Sequence, residues 1–227
     1  MGQVIIEFFE NSYFVIFYGI TWLIAIVTFK KYFDTLLKYF PIFISFTFFA
    51  ELLGSLVKYH ENYQLIFGYE NHNNTYIIYN FYHLLYFPYF FYVYWNSVPN
   101  IVHKKIIKYG GGIFILSNII NSFVQNPLVE PMIYAYLSGT ILLIYCTAVY
   151  FKSVVSENAI SVLKYSLLFW VSLGLITFHT VYFPLKIFRQ FKYELYEPLR
   201  DLHLSMIVVM YVFFSIGFII SKRKAFR

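Results

Sequence analysis

The chain has 227 residues, of which 60% are hydrophobic and 12% charged, with a mean hydropathy of +0.63. A soluble domain carries about 25% charged residues, so a water-soluble globule of this length has no place for such apolar surface, whereas a bilayer does. The net charge of +6 does not point to nucleic acid, because its placement between hydrophobic segments accounts for it, and the single Cys146 excludes an internal disulfide or a cysteine-held metal cluster.

The chain opens with Glu7 and Glu10 and has no Lys or Arg before Asn11, so the positive start of a cleavable signal is missing and the first hydrophobic segment is read as a span. Crossing about 30 Å of hydrocarbon takes roughly 20 mainly apolar residues. Seven segments qualify: 12–29, 39–57, 76–98, 109–124, 133–151, 166–185 and 202–221. The fourth is the weakest, being short, opening with Gly110-Gly111-Gly112 and carrying Asn118 and Asn121. Lipid cannot satisfy free backbone groups, and these runs lack the alternation of barrel strands, so the spans are expected to be helices. The predicted fold is an all-α integral membrane protein, with residues 1–227 forming a single seven-helix transmembrane domain.

Basic residues set the orientation. Lys30, Lys31 and Lys38 follow the first segment; Lys104, Lys105 and Lys108 the third; Lys152 and Lys164 the fifth; Lys222, Arg223, Lys224 and Arg227 the last. The opposite loops hold only Lys58 and a group of Lys186, Arg189, Lys192 and Arg200, which Glu194, Glu197 and Asp201 offset. The positive-inside rule then predicts an outer N-terminus and a cytoplasmic C-terminus. Ala50 with Gly54, Ala135 with Gly139, and Gly217 with Ser221 are small pairs four residues apart, the spacing of close helix contacts.

The halves of the chain carry a faint self-similarity. Gly19-Ile20-Thr21 matches Gly139-Thr140, His83-Leu84 matches His203-Leu204, and Lys38-Tyr39 matches Lys164-Tyr165. These offsets suggest a parallel three-plus-one-plus-three repeat, with chance matching among apolar segments as the competing explanation. In transporters such repeats place the substrate at their interface.

Ionisable residues within a span are costly and are functional candidates by default. Glu51, His83 and His179 each lie seven residues from the outer end of their segment, which at 1.5 Å per residue is roughly 10 Å deep, and His203 lies near the outer end of the last. Asn80, Asn118 and Asn121 add amides. Tyr79, Tyr82, Tyr86 and Tyr89 recur on one helical face, with Tyr79 and Tyr86 a turn either side of His83. The expected ligand-binding set is Glu51, Asn80, His83, Tyr79, Tyr86, Asn118, His179 and His203, lining an outward-facing pocket. No catalytic residue is identified, and no cofactor is predicted. A metal ion, if one binds, would take Glu51, His83 and His179, since no metal-ligand spacing occurs within one helix. Residues 186–200 alternate charge with Ile187, Phe191, Leu195 and Leu199, as in an amphipathic surface helix or an extension of the sixth segment. Asn73-Asn74-Thr75 fits the N-glycosylation pattern, which matters only in a eukaryotic secretory pathway.

The run Tyr79-Asn80-Phe81-Tyr82, and Phe169-Trp170 with Gly174, resemble the small seven-helix membrane proteins of Bacteroidota. That resemblance implies the inner membrane of a Gram-negative bacterium and no known activity. The layout is also similar to the PQ-loop and sugar-transporter families, without their Pro-Gln pair. The leading expectation is a non-enzymatic protein that binds a small or lipid-like ligand as a sensor or accessory subunit. Its short cytoplasmic loops would make signalling depend on a membrane or signalling partner protein. A small-molecule transporter built from the repeat comes second and an intramembrane, metal-dependent enzyme third. The expected surroundings are the lipid bilayer, with no nucleic acid.

Overall fold

The computed structural model describes residues 12–59, 76–157 and 163–222. Among these residues every regular element is helical. The long helices are α1 (Phe14–Val27), α2 (Phe40–Tyr59), α3 (Tyr76–Ser97), α4 (Ile101–Ser122), α5 (Ile133–Glu157), α6 (Leu167–Phe191) and α7 (Arg200–Ile220). A one-turn helix, Tyr193–Tyr196, and a 3-10 turn, Glu197–Leu199, join α6 to α7. Asn73-Asn74-Thr75, Glu7 and Glu10, the side chain of Lys58, and the basic tail Arg223, Lys224 and Arg227 lie outside the described residues.

Three stretches, Ile133–Val155, Leu167–Phe191 and Tyr193–Ile220, are long and apolar enough to cross a membrane, and Phe14–Val27 and Phe40–Gly54 are shorter apolar helices. The composition of α3 and α4 explains why neither joins them. The first carries seven tyrosines, and the second holds three lysines and three glycines among its first twelve residues.

Three boundaries differ from the sequence expectation by six residues or more: α5 ends at Glu157 in place of 151, and two others differ for identifiable reasons. Helix α4 begins at Ile101, eight residues early, because the Asn100 side chain caps it by accepting from the Val102 N–H at 2.8 Å. Helix α6 runs six residues beyond 185, through Pro184, to Phe191. Proline removes one backbone hydrogen bond and commonly kinks or ends a helix; here the helix continues. The stretch 186–200 is therefore an extension of α6 to Phe191, followed by the one-turn helix and the 3-10 turn that lead into α7 at Arg200.

Consecutive helices run up and down. Helices α1, α2, α3, α5, α6 and α7 close into a ring, in which α7 packs back on α1 and α3 packs on α5. Helix α4 lies outside, against the seam of α3 and α5. Its buried residues Ile107, Phe114 and Asn121 recur every seven positions, a narrow contact stripe, while Ile113, Leu116, Ile120 and Phe123 are exposed. Asn121 secures the α4–α5 connection. Its Oδ1 accepts from Ala135 N–H at 3.0 Å and its amide donates to Gln125 Oε1 at 2.8 Å.

The ring interior is filled mostly by aromatic side chains. Near the lower end, where α1, α3, α5 and α7 terminate, Phe40 meets Phe90, Phe214 and Phe218 with ring centroids 5.6, 5.0 and 5.9 Å apart, and Tyr32 packs on Phe218 at 5.0 Å. Buried hydroxyls also join helices. Tyr94 is hydrogen-bonded to Ser172 at 2.8 Å, and Thr21 to Ser215 at 2.8 Å. Such bonds across membrane helices average about 0.6 kcal/mol, so they set register more than stability.

The small-residue pairs divide. Gly139 admits Phe87 and Phe114, and Gly217 admits Trp170, since an added Cβ would meet them at 2.7–2.9 Å. Ala50 and Gly54 instead border a cavity. Gly174, which belongs to none of the pairs, brings α6 against the backbone of α7. A Cβ there would sit 2.8 Å from Phe214 and 3.0 Å from the Met210 carbonyl oxygen.

Candidate functional site

The upper half of the ring encloses a cavity of about 460 Å³, within the roughly 300–1,000 Å³ typical of small-molecule pockets. Its rim is formed by Ser12, Gly54, Tyr76, Pro131, Arg189 and Arg200, which gather where α1, α3, α5 and α7 begin. Its floor reaches Phe40 and Phe214, below which lie the packed rings of Phe90, Phe218 and Tyr32.

Most of the candidate residues come together here. Glu51, Tyr79, Asn80, His83, Tyr86, His179 and His203 all line the cavity. Helices α2 and α3 meet through aromatic stacks, Phe43 on Tyr89 at 4.4 Å and Phe46 on Tyr82 at 5.5 Å. This alignment lets the Tyr79 hydroxyl donate to Glu51 Oε2 at 3.0 Å. Two turns further along α3 the Tyr86 hydroxyl is hydrogen-bonded to His179 Nε2 at 3.2 Å. His179 is 2% exposed, and its Nδ1 is buried without a hydrogen-bond partner among the described residues. His203 stacks on Tyr182 at 4.1 Å and shares a 2.9 Å hydrogen bond between its Nδ1 and the Tyr196 hydroxyl. The His83 ring packs edge-on against Tyr136 at 4.8 Å.

The shared depth expected of Glu51, His83 and His179 therefore takes a different form. Glu51 and His179 have tyrosine partners seven residues apart on α3, roughly 10 Å along its axis, so they stand at separate levels of one cavity. Among the described residues no three His, Cys, Asp or Glu side chains lie close enough together to hold a metal ion, so Glu51, His83 and His179 do not form the ligand set set out for one.

Two amides have other work. Asn80 donates to the carbonyls of Pro127 and Glu130, each at 2.8 Å, and accepts from Met132 N–H at 3.1 Å, fastening α3 to the turn before α5. Asn118 is not part of the cavity lining. It lies on the peripheral α4, and its amide donates to the Phe114 carbonyl of its own helix at 2.9 Å. Tyr89 also falls outside the lining, stacked on Phe43, which does line the cavity.

The sequence reading missed the basic side of the site. Lys186 lines the cavity with its ammonium 5.2 Å from the Tyr136 ring centre, and Arg189 stands over Tyr196 at 5.7 Å. Their signal was present: His179, Tyr182, Lys186 and Arg189 recur at intervals of three, four and three, one helical face. Ending the helix at 185 hid it. Tyr18 and Tyr211, whose rings meet at 4.3 Å, line the cavity from α1 and α7 and were likewise not singled out.

Six helices thus converge on an aromatic chamber that, among the described residues, carries one carboxylate, three imidazoles, several phenol hydroxyls and three cations. Such a chamber can hydrogen-bond and neutralise a polar group while packing apolar surface. Comparison with family models, curated proteins and solved structures gave no match, so the site is read from its own chemistry.

Proposed function

We propose that this is a non-enzymatic protein that crosses the membrane seven times and holds a small or lipid-like ligand in the α1–α2–α3–α5–α6–α7 cavity, as a sensor or accessory subunit. The reading places the N-terminus and the cavity mouth outside, the C-terminus in the cytoplasm, and the chain in a bacterial inner membrane, as the resemblance to small Bacteroidota proteins implies. The observation that carries it is the cavity itself, open at one end and underlain by packed phenylalanines at the other. A chamber with one mouth suits reception of a ligand better than its passage.

The topology has a direct test. Lys31 and Lys222 lie at the end opposite the mouth, where Lys31 donates to the Ile219 carbonyl at 2.6 Å and Lys222 N–H to the Tyr165 carbonyl at 3.1 Å. The positive-inside rule puts that end in the cytoplasm. A reporter fused after Arg227 should be active only if it needs the cytoplasm, and activity of a periplasm-dependent reporter would refute the orientation.

The ligand has its own test. Native mass spectrometry of protein extracted from its membrane should find a bound molecule, and Glu51→Gln should change its affinity about tenfold or more, equivalent to 1.4 kcal/mol. The melting temperature should stay near that of the wild type. An empty wild-type cavity, or an unchanged affinity in the variant, counts against the reading.

Transport by a three-helix repeat is the second reading. Its support is that α1–α2–α3 and α5–α6–α7 each pack in chain order, and that each triplet closes on the first helix of the other. Within it, His83 and His203 would occupy equivalent places, and the aromatic floor would act as a gate.

A further inference from the structure

We infer that the cavity takes an anionic amphiphile, a carboxylate- or phosphate-headed molecule with an apolar or unsaturated tail, held head-up beside Lys186 and Arg189. The inference rests on the binding reading above and specifies its ligand.

Charge comes first. Among the described residues the formally charged side chains lining the cavity are Glu51, Lys186, Arg189 and Arg200, so there cations outnumber the carboxylate. Glu51 is already engaged by the Tyr79 hydroxyl. Lys186 is half-buried, its contact is with the face of Tyr136, and its electrostatic neighbour among the described residues is another cation, Arg189, which itself is hydrogen-bonded to Tyr182 and feels the charge of Glu51. An ammonium removed from bulk water without an anion is costly, and a ligand anion would supply the missing charge. The guanidinium of Arg189, one turn nearer the mouth, adds a planar fork suited to carboxylate or phosphate oxygens.

The gradient below the cations supplies the second half. Beneath Lys186 the walls are mainly aromatic and aliphatic, with Phe178, Ile207, Met210 and finally Phe214, interrupted by the His179 ring and the phenols of Tyr18, Tyr86 and Tyr211. A free inorganic anion would leave this largely aromatic depth unfilled. A cationic or neutral amphiphile would leave the basic rim without a partner.

The test uses the full chain in phosphatidylcholine nanodiscs, with binding followed by titration calorimetry. The probes are dodecanoate, dodecyl phosphate, dodecanol, dodecyltrimethylammonium and inorganic phosphate. Both dodecyl anions should bind at least tenfold tighter than dodecanol, and the ammonium probe and inorganic phosphate should bind weakest. Lys186→Gln should weaken the two anions about tenfold while leaving dodecanol unchanged, and Lys186→Arg should restore them. Dodecanol or the ammonium binding as tightly as the anions would overturn the charge assignment and leave the binding cavity standing. Inorganic phosphate binding as tightly as dodecyl phosphate would overturn the amphiphile. If no dodecyl probe or phosphate binds the wild type, both the amphiphile and the binding cavity fall. A Lys186→Gln chain that does not fold leaves the wild-type ranking of the five probes to decide.

Discussion

Phe214→Ala is expected to destabilise the bundle by about 3–5 kcal/mol, the usual cost of removing a buried phenylalanine. Phe214 is 2% exposed, packs on Phe40 with centroids 5.0 Å apart and fits against Gly174. Its neighbours Phe40 and Gly174 come from α2 and α6, so no single shift can fill the space it leaves. The truncation also lowers the cavity floor towards Phe218. Unfolding in a graded detergent mixture should show the loss as a clear fall in midpoint. Ligand contacts at the rim, near Lys186 and Arg189, should survive, so affinity should change much less than stability. A midpoint equal to the wild type would mean that the ring cluster is not packed as described.

Gly174→Leu is expected to be comparably severe, at about 3 kcal/mol, the upper end of ordinary overpacking costs. The reason is the obstacle. The nearest atoms to an added Cβ include the Met210 carbonyl oxygen at 3.0 Å, which is backbone and cannot turn aside. Helices α6 and α7 would have to separate, and with them His179 and His203, which line the cavity from those helices. Folding and ligand binding should therefore fail together, unlike Phe214→Ala. The contrasting case is Gly112→Ala on α4, where an added Cβ meets nothing within 4 Å. It should gain about 0.5–1 kcal/mol from lower backbone entropy. Thermal unfolding of the two variants beside the wild type checks both signs, and a mild Gly174→Leu would show that the α6–α7 seam is looser than its geometry.

Composition by itself determined that the chain is helical, and apolar runs located every long helix to within a few residues at most ends. The signal is strong because lipid-facing and core-facing surfaces are both apolar. The same fact erases the contrast between faces that locates a core in a soluble helix. Sequence could thus place Glu51, His83, His179 and His203 near one end of the chain's segments, and the tyrosine stripe of α3 beside them. It could not say which stripe met which. Only tertiary packing decided that Asn80 binds a turn, that Asn118 on the peripheral α4 stays out of the cavity, and that Tyr79 and Tyr86 take Glu51 and His179 at different levels. Lys186 and Arg189 make the point most plainly. Counted as loop charges, they became the basic wall of the cavity once α6 continued through Pro184, because two more turns of helix carry the His179 face up to the rim. A proline's effect on a helix depends on the neighbours that hold the chain around it, and those neighbours are distant in sequence.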